Sequence, residues 1–219
     1  MSVAVHKLNA VQLLQKLQYC LRNSRPPDES VTPLVAGVDI EQQSQAAAFF
    51  PVQRIPAAVL VPIVRHDQEL TVLFTERAAH LKHHAGQISF PGGRVEAQDA
   101  GPLQTALRET EEEIGLSRQH VEVMGYLPPH LIFTGYCVTP VVALVQPDFD
   151  LRIDLGEVAS VFEVPLRYLI DPAHHQARDR QIGEIAVRVY DLPYGERRIW
   201  GATAGILMNL YRLLTYDEQ

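Results

Sequence analysis

The chain has 219 residues, 47% of them hydrophobic and 21% charged, the balance of an ordinary globular protein with one domain, an appended helix and a substantial core. A formal net charge of −7 argues against a nucleic-acid-binding surface, which is usually basic, and leaves room for a local basic pocket taking a phosphorylated small molecule. No apolar run nears the roughly 20 residues that span a bilayer, the N-terminus has no secretory pattern, and Cys20 and Cys137 show no metal-type spacing. The expectation is a cytoplasmic protein in a reducing compartment, with neither membrane nor nucleic acid as partner.

Leu8, Val11, Leu14, Leu17 and Leu21 fall near one face of a helix predicted from about Asn9 to Leu21. Ser24 to Gln53 carries Pro26, Pro27, Pro33 and Pro51 with little periodicity, so it reads as a connecting arm lying over the domain, serving packing or a homodimer contact and not chemistry. Residues 1–53 thus form a helix and arm, and 54–219 the main domain. Pro56 to Arg65 is a Val-rich buried strand, Leu70 to Thr75 its returning partner, and Gln87 to Phe90 a short strand entering a glycine turn. Val121 to Leu127 and Cys137 to Val145 are further strands, joined by a loop, Pro128 to Tyr136, long enough to line a pocket.

Glu157 to Glu163 reads as a strand or turn, and Pro165 opens a short helix through Ile170. Asp171 to Gly183 is polar and reads as a mobile loop, in which His174 and His175 lack a third metal ligand and are taken as solvated. Ile185 to Leu192 and Arg197 to Trp200 resemble a strand pair turning at Pro193-Tyr194-Gly195, and Ala202 to Leu214 closes the chain as a helix. Trp200 and Tyr211 are assigned to the core. The sum is a mixed α/β protein, an α/β/α sandwich around a mixed sheet.

The stretch with chemistry is Leu107 to Leu116, shortly after Phe90-Pro91-Gly92-Gly93. On a helix, Glu109, Glu112 and Glu113 project from neighbouring positions on one face. Leu103, Ala106, Leu107, Thr110 and Ile114 form the opposite stripe, with Pro102 in the first turn and Gly115 just past the end. Like-charge neighbours cost about 0.2–0.5 kcal/mol per pair, so this face is either simply solvated or holds a hard divalent cation, for which carboxylate oxygens are natural ligands. The adjacent glycines favour the cation, because they let backbone approach closely and offer the Gly92 carbonyl as a further oxygen. Arg108 can pair with a carboxylate and hold it in place.

These residues carry a resemblance. Gly93 to Leu116 resembles the signature of the Nudix hydrolases, G-x5-E-x7-R-E-U-x-E-E-x-G-U with U apolar: Gly93, Arg108, Glu109, Glu112, Glu113, Gly115 and Leu116 match. Asp99 replaces the first glutamate, one extra residue separates it from Arg108, and Thr110 occupies an apolar position. Upstream, Thr75, Arg77, Gly86 and Phe90 to Gly93 are similar to the pattern of the coenzyme A diphosphatase branch, from which Phe74, Ala78 and Lys82 depart. The resemblance runs from about Ala58 to Leu214.

It implies a Nudix-type sandwich and a pyrophosphohydrolase dependent on Mg²⁺ or Mn²⁺ held by Gly92, Glu109, Glu112 and Glu113. Glu109 or Glu112 would be the base, beside Arg108, with Glu157 as an alternative acceptor; Asp99 is expected to brace Arg108 and not to bind metal. Arg77, Lys82, His84, Gly86 and Tyr136 are the candidates for substrate contact. Against that stand a strand-end ion pair for Arg77, a structural histidine for His84 and a packed loop aromatic for Tyr136. The implied substrate is coenzyme A or acyl-CoA, cut to 3',5'-ADP and the 4'-phosphopantetheine portion. The alternatives are a diphosphatase acting on ADP-ribose or another nucleotide, and a non-catalytic nucleotide-sensing module.

Overall fold

The computed structural model describes residues 4–28, 31–35, 38–50, 53–132 and 134–216, apart from the side chains at positions 40, 182 and 185. In chain order it contains α1 (Ala10–Leu21), β1 (Leu34–Val35), α2 (Gln43–Ala47), β2 (Ile55–Arg65), β3 (Leu70–Arg77), β4 (Ile88–Ser89), β5 (Gly92–Arg94), α3 (Pro102–Ile114) and β6 (Val121–Tyr126). There follow β7 (His130–Leu131), β8 (Tyr136–Val145), β9 (Val158–Pro165), α4 (Leu166–Leu169), β10 (Gln176–Ile182), β11 (Ile185–Tyr194), β12 (Arg197–Ile199) and α5 (Gly201–Thr215).

The large sheet is mixed and centred on β2, which runs parallel to β8 over Ile55–Val64 and antiparallel to β3 and β5. Its strands alternate between two cores, as a sheet covered on both faces requires. Val61 and Ile63 of β2 pack on one side with Leu17 of α1, Leu166 of α4 and Leu210 of α5. Leu60 and Val64 pack on the other with Ala106 and Ile114 of α3. The architecture is therefore an α/β/α sandwich, and α3 is the layer that carries the acidic face.

Several expectations change. The helix α1 is capped by Asn9, whose side chain accepts from Gln12 N while Gln12 returns a bond to Asn9 N. Its buried stripe is Leu13, Leu17 and Leu21, spaced four apart, and Val11 is left 64% exposed. The arm contributes structure of its own: β1 pairs parallel with β7 at the sheet margin, and α2 lies against β1. Thr110 fits its apolar position because its hydroxyl donates to the Ala106 carbonyl at 2.6 Å, leaving no unsatisfied group at a site with 0% exposure.

The largest departure is the segment read as a mobile loop. Gln176–Ile182 forms β10, paired residue for residue with β11, and β12 completes a three-stranded antiparallel meander separate from the main sheet. The turn between β11 and β12 comes at Gly195–Glu196, slightly later than the expected Pro193-Tyr194-Gly195. His174 and His175 are not solvated: their ring nitrogens bond to the Tyr168 and Leu169 carbonyls, and their rings lie against Tyr168 and Tyr211. Among the described residues no helix is long and apolar enough to cross a membrane.

Because Leu17 has 0% exposure where α1 meets the main core, Leu17→Ala should lower unfolding stability by about 2–5 kcal/mol. Urea denaturation followed by circular dichroism tests this; a change under about 0.5 kcal/mol, typical of surface positions, would mean that α1 packs elsewhere.

Candidate active site

The site begins where two glycines let backbone approach backbone. Gly92 and Gly93 pair with Val59 and Ala58 of β2. A Cβ at Gly92 would lie 2.3 Å from the Ala58 carbonyl oxygen, and one at Gly93 would lie 2.4 Å from the Glu109 carboxylate. Helix α3 is thereby seated with its acidic face against the loop. Pro102 starts it, and Gly115, in the left-handed conformation, ends it with its N–H on the Glu111 carbonyl.

The three acids occupy different environments. Glu113 is 4% exposed and accepts a bond from the Gly92 N–H at 3.3 Å. Burial pushes its pKa up to about 8, with Glu109 and Glu157 adding repulsion and the Gly92 bond and Arg77 opposing. Glu109 is half-buried, and burial raises its pKa too, against the Arg108 guanidinium. Glu112 is largely exposed, its side chain at 59%, and accepts from Arg108 at 3.0 Å.

Arg108 is the hub of this face. Its Nη1 donates to Glu109 and Glu112, both at 3.0 Å, and its Nη2 to the Arg94 carbonyl. Asp99 grips the same guanidinium from behind, accepting from Nε at 3.1 Å and Nη2 at 2.9 Å, and also accepts from Thr105 Oγ1 and Glu96 N. The Asp99 side chain is 1% exposed, and Arg108 holds it well below the usual carboxylate range. Asp99 therefore braces Arg108 despite the extra residue between them.

With Arg108 holding two of the acids, no group of three His, Cys, Asp or Glu side chains among the described residues is gathered closely enough to hold a metal ion as it stands. The donor chemistry nonetheless fits a hard cation. Glu113 is a buried carboxylate that accepts a long hydrogen bond from the Gly92 N–H, and a divalent ion would relieve both its burial and the repulsion among Glu109, Glu113 and Glu157.

A cavity of about 680 Å³ reaches this cluster at Gly92, within the range of roughly 300–1,000 Å³ usual for small-molecule sites. Arg77 and His84 line it. Arg77 Nε is buried with no hydrogen-bond partner, a donor left for a ligand. His84, with φ of 59°, shares a bond with Gln87 at 2.9 Å, and the Gly86 N–H closes the loop onto the Arg77 carbonyl at 3.0 Å. Lys82 is exposed and Tyr136 half-buried at the start of β8, and neither lines the cavity; Ile132 and Thr134 of the preceding loop do.

The rest of the lining is not legible in the sequence. Arg178 and Arg180 from β10, Arg198 from β12 and Trp200 all face this space, so Trp200 is a cavity residue and not a core one. The available signal was the i, i+2 spacing of Arg178 and Arg180, which shares a face only if the segment is a strand.

The Glu113 carboxyl yields a signed pH prediction. Its folded pKa lies above the ordinary 4.5, so the stability it contributes is full below about 4.5 and is lost as pH rises through about 8. In the presence of a chelator, Glu113→Gln should melt at least ~3 °C above the native chain near pH 9 and beside it near pH 5. Calorimetric scans check this, and an equal gap at both pH values would exclude a buried ionising acid.

The NUDIX domain family model matches residues 54–183. The structure of the MutT protein from Methanosarcina mazei Go1 aligns with a TM-score of 0.48 at 16% identity, over 77% of this chain and 100% of that one. Among curated relatives, the "Uncharacterized Nudix hydrolase NudL" of Shigella flexneri serotype 5b (strain 8401) is 43% identical over 160 residues, covering 73% of this chain and 83% of its own length. The protein of the same name from Escherichia coli (strain K12 / DH10B) is 44% identical over 154 residues, covering 70% and 80%. The domain match and the identity to these relatives place the chain in the Nudix hydrolase family.

Proposed function

We propose that this chain hydrolyses the pyrophosphate bond of coenzyme A or acyl-CoA, giving 3',5'-ADP and the free or acylated 4'-phosphopantetheine. The observation that carries the reading is a pair of carboxylates, Glu109 and Glu113, set against Gly93 and Gly92 of a glycine turn that lines a cavity of about 680 Å³. The choice of coenzyme A over other diphosphates rests on the Thr75 to Gly93 segment and its likeness to that branch.

Glu109, Glu112 and Glu113, with the Gly92 carbonyl, would hold Mg²⁺ or Mn²⁺. Bound there, the ion supplies neutralisation of the phosphate oxygens and a lower pKa for the attacking water. The chain's own residues do the rest by position and charge. Arg77 presents its unpaired Nε to a phosphate oxygen. Glu109 or Glu112 takes the water proton, Glu109 being made more basic by burial. Arg108, fixed by Asp99, holds both carboxylates in place.

Assays with coenzyme A, ADP-ribose and diadenosine polyphosphates in Mg²⁺ or Mn²⁺ should give the highest kcat/KM for coenzyme A. Preference for ADP-ribose would overturn the substrate reading and retain the chemistry. Glu112→Gln should cut kcat about 10²-fold or more with the fold intact; an unchanged rate removes Glu112 from the mechanism. Gly93→Ala, which forces the Glu109 carboxylate aside, should cost about as much in kcat, since misplacement by about 1 Å costs on the order of 10²-fold. Full activity in that variant would mean that Glu109 need not touch the loop.

A further inference from the structure

The meander β10–β12 lines the cavity that Gly92 of the glycine loop also lines, and its charges do not cancel. Asp191 of β11 is 2% exposed and accepts from both Arg178 and Arg198 at 2.7 Å. The other acid on this wall, Asp179, lies 3.5 Å from Arg188, a residue that does not line the cavity. Arg180 has no carboxylate within ion-pairing distance among the described residues, and its guanidinium sits 5.7 Å from the Trp200 ring centroid, with that of Arg198 at 5.5 Å on the same ring. The wall thus places three arginines around one buried aspartate, two positive charges in surplus, in a chain whose formal net charge is −7.

A surplus of two matches a phosphomonoester, which carries about −1.5 to −2 near neutral pH, and guanidinium forks grip its oxygens in pairs. The N-terminal end of α5, which Trp200 leaves without a side-chain cap, lines the same space through Gly201 and Ala202 and adds to the positive potential. Trp200 is half-buried and offers an aromatic surface for a base. The wall comes from β10–β12 and the start of α5, elements other than the Gly92 loop and α3, so it suits a part of the substrate that does not react.

We propose that the β10–β12 wall is a subsite for a phosphomonoester on the nucleoside portion of the substrate, with Arg180 as its principal ligand and Trp200 packing on the adjoining base. This deepens the pyrophosphohydrolase reading and rests on it. Asp191 is the positioning residue, since from β11 it fixes Arg178 and Arg198 on the two strands that flank it.

Trp200 is the single tryptophan of the chain, so its emission reports on this wall directly. The native protein, metal-free, is titrated with 3',5'-ADP and with 5'-AMP by calorimetry and by tryptophan fluorescence. The expected result is that 3',5'-ADP binds about tenfold or more tightly than 5'-AMP and changes the emission, and that Arg180→Ala brings the two affinities together while Arg180→Lys restores part of the gap. In turnover, the ratio of kcat/KM for coenzyme A over 3'-dephospho-coenzyme A should fall about tenfold in Arg180→Ala. Equal native affinities, an undiminished gap in Arg180→Ala, or binding that leaves the emission unmoved overturns the subsite. A native protein that cleaves neither coenzyme A nor its dephospho form, yet binds 3',5'-ADP with the expected preference, overturns the hydrolase reading and leaves the subsite standing.

Discussion

The contact between the Gly93 backbone and the Glu109 carboxylate organises this end of the molecule. No side chain can stand between loop and helix there, because the first carbon of one would fall 2.4 Å from the carboxylate, well inside van der Waals contact. The neighbouring Gly92 meets the β2 backbone with equal intimacy. Sheet, loop and helix are consequently locked in one register, with Glu109 and Glu113 of α3 held against the loop. The cost is electrostatic: Glu113 is buried among acids, and its carboxyl is pushed up to about 8. A stretch of sequence that only had to fold would gain by replacing it, and its burial suits the cation proposed for this face.

Arg108 and Asp99 make that face orderly. One guanidinium is held on two edges by a nearly inaccessible aspartate and spends its remaining donors on Glu109, Glu112 and the Arg94 carbonyl. Glu109 and Glu112 are thus held together on one guanidinium. On the β10–β12 meander a buried aspartate likewise holds two arginines. The two ends differ in which charge is left over: negative on α3, positive on the meander.

Much of this was legible in the chain, and the reasons are specific. Strands β2, β3 and β8 announce themselves by Val-rich runs buried on both faces, and α3 by a 3.6-residue period bracketed by Pro102 and Gly115. The glycine pair and the acids of the following helix are read from the sequence as one locale, and the structure brings Gly92 and Gly93 against Glu113 and Glu109. What stayed hidden lacked a period to read. The two-residue β1 is too short for one. Gln176 to Ile182 is polar at nearly every position, so its strand character comes from pairing with β11 and not from its own composition. Trp200 looked like core because a large aromatic usually is; its arginine neighbours arrive from elsewhere in the chain and reveal themselves only in three dimensions.

The parallel pairing of β1 with β7 bears on what counts as the smallest workable piece of this protein. The family match spans 54–183, but a chain cut at those limits would sever β10 from β11 at its hairpin, strip α1 and α5 from one side of the sheet, and leave β7 with a bare margin. Unpaired strand margins recruit other chains, and a half-covered sheet adds an apolar surface to the same hazard. The recognisable segment is therefore shorter than the unit that can stay monodisperse, and the short flanking elements act as the seals that close it.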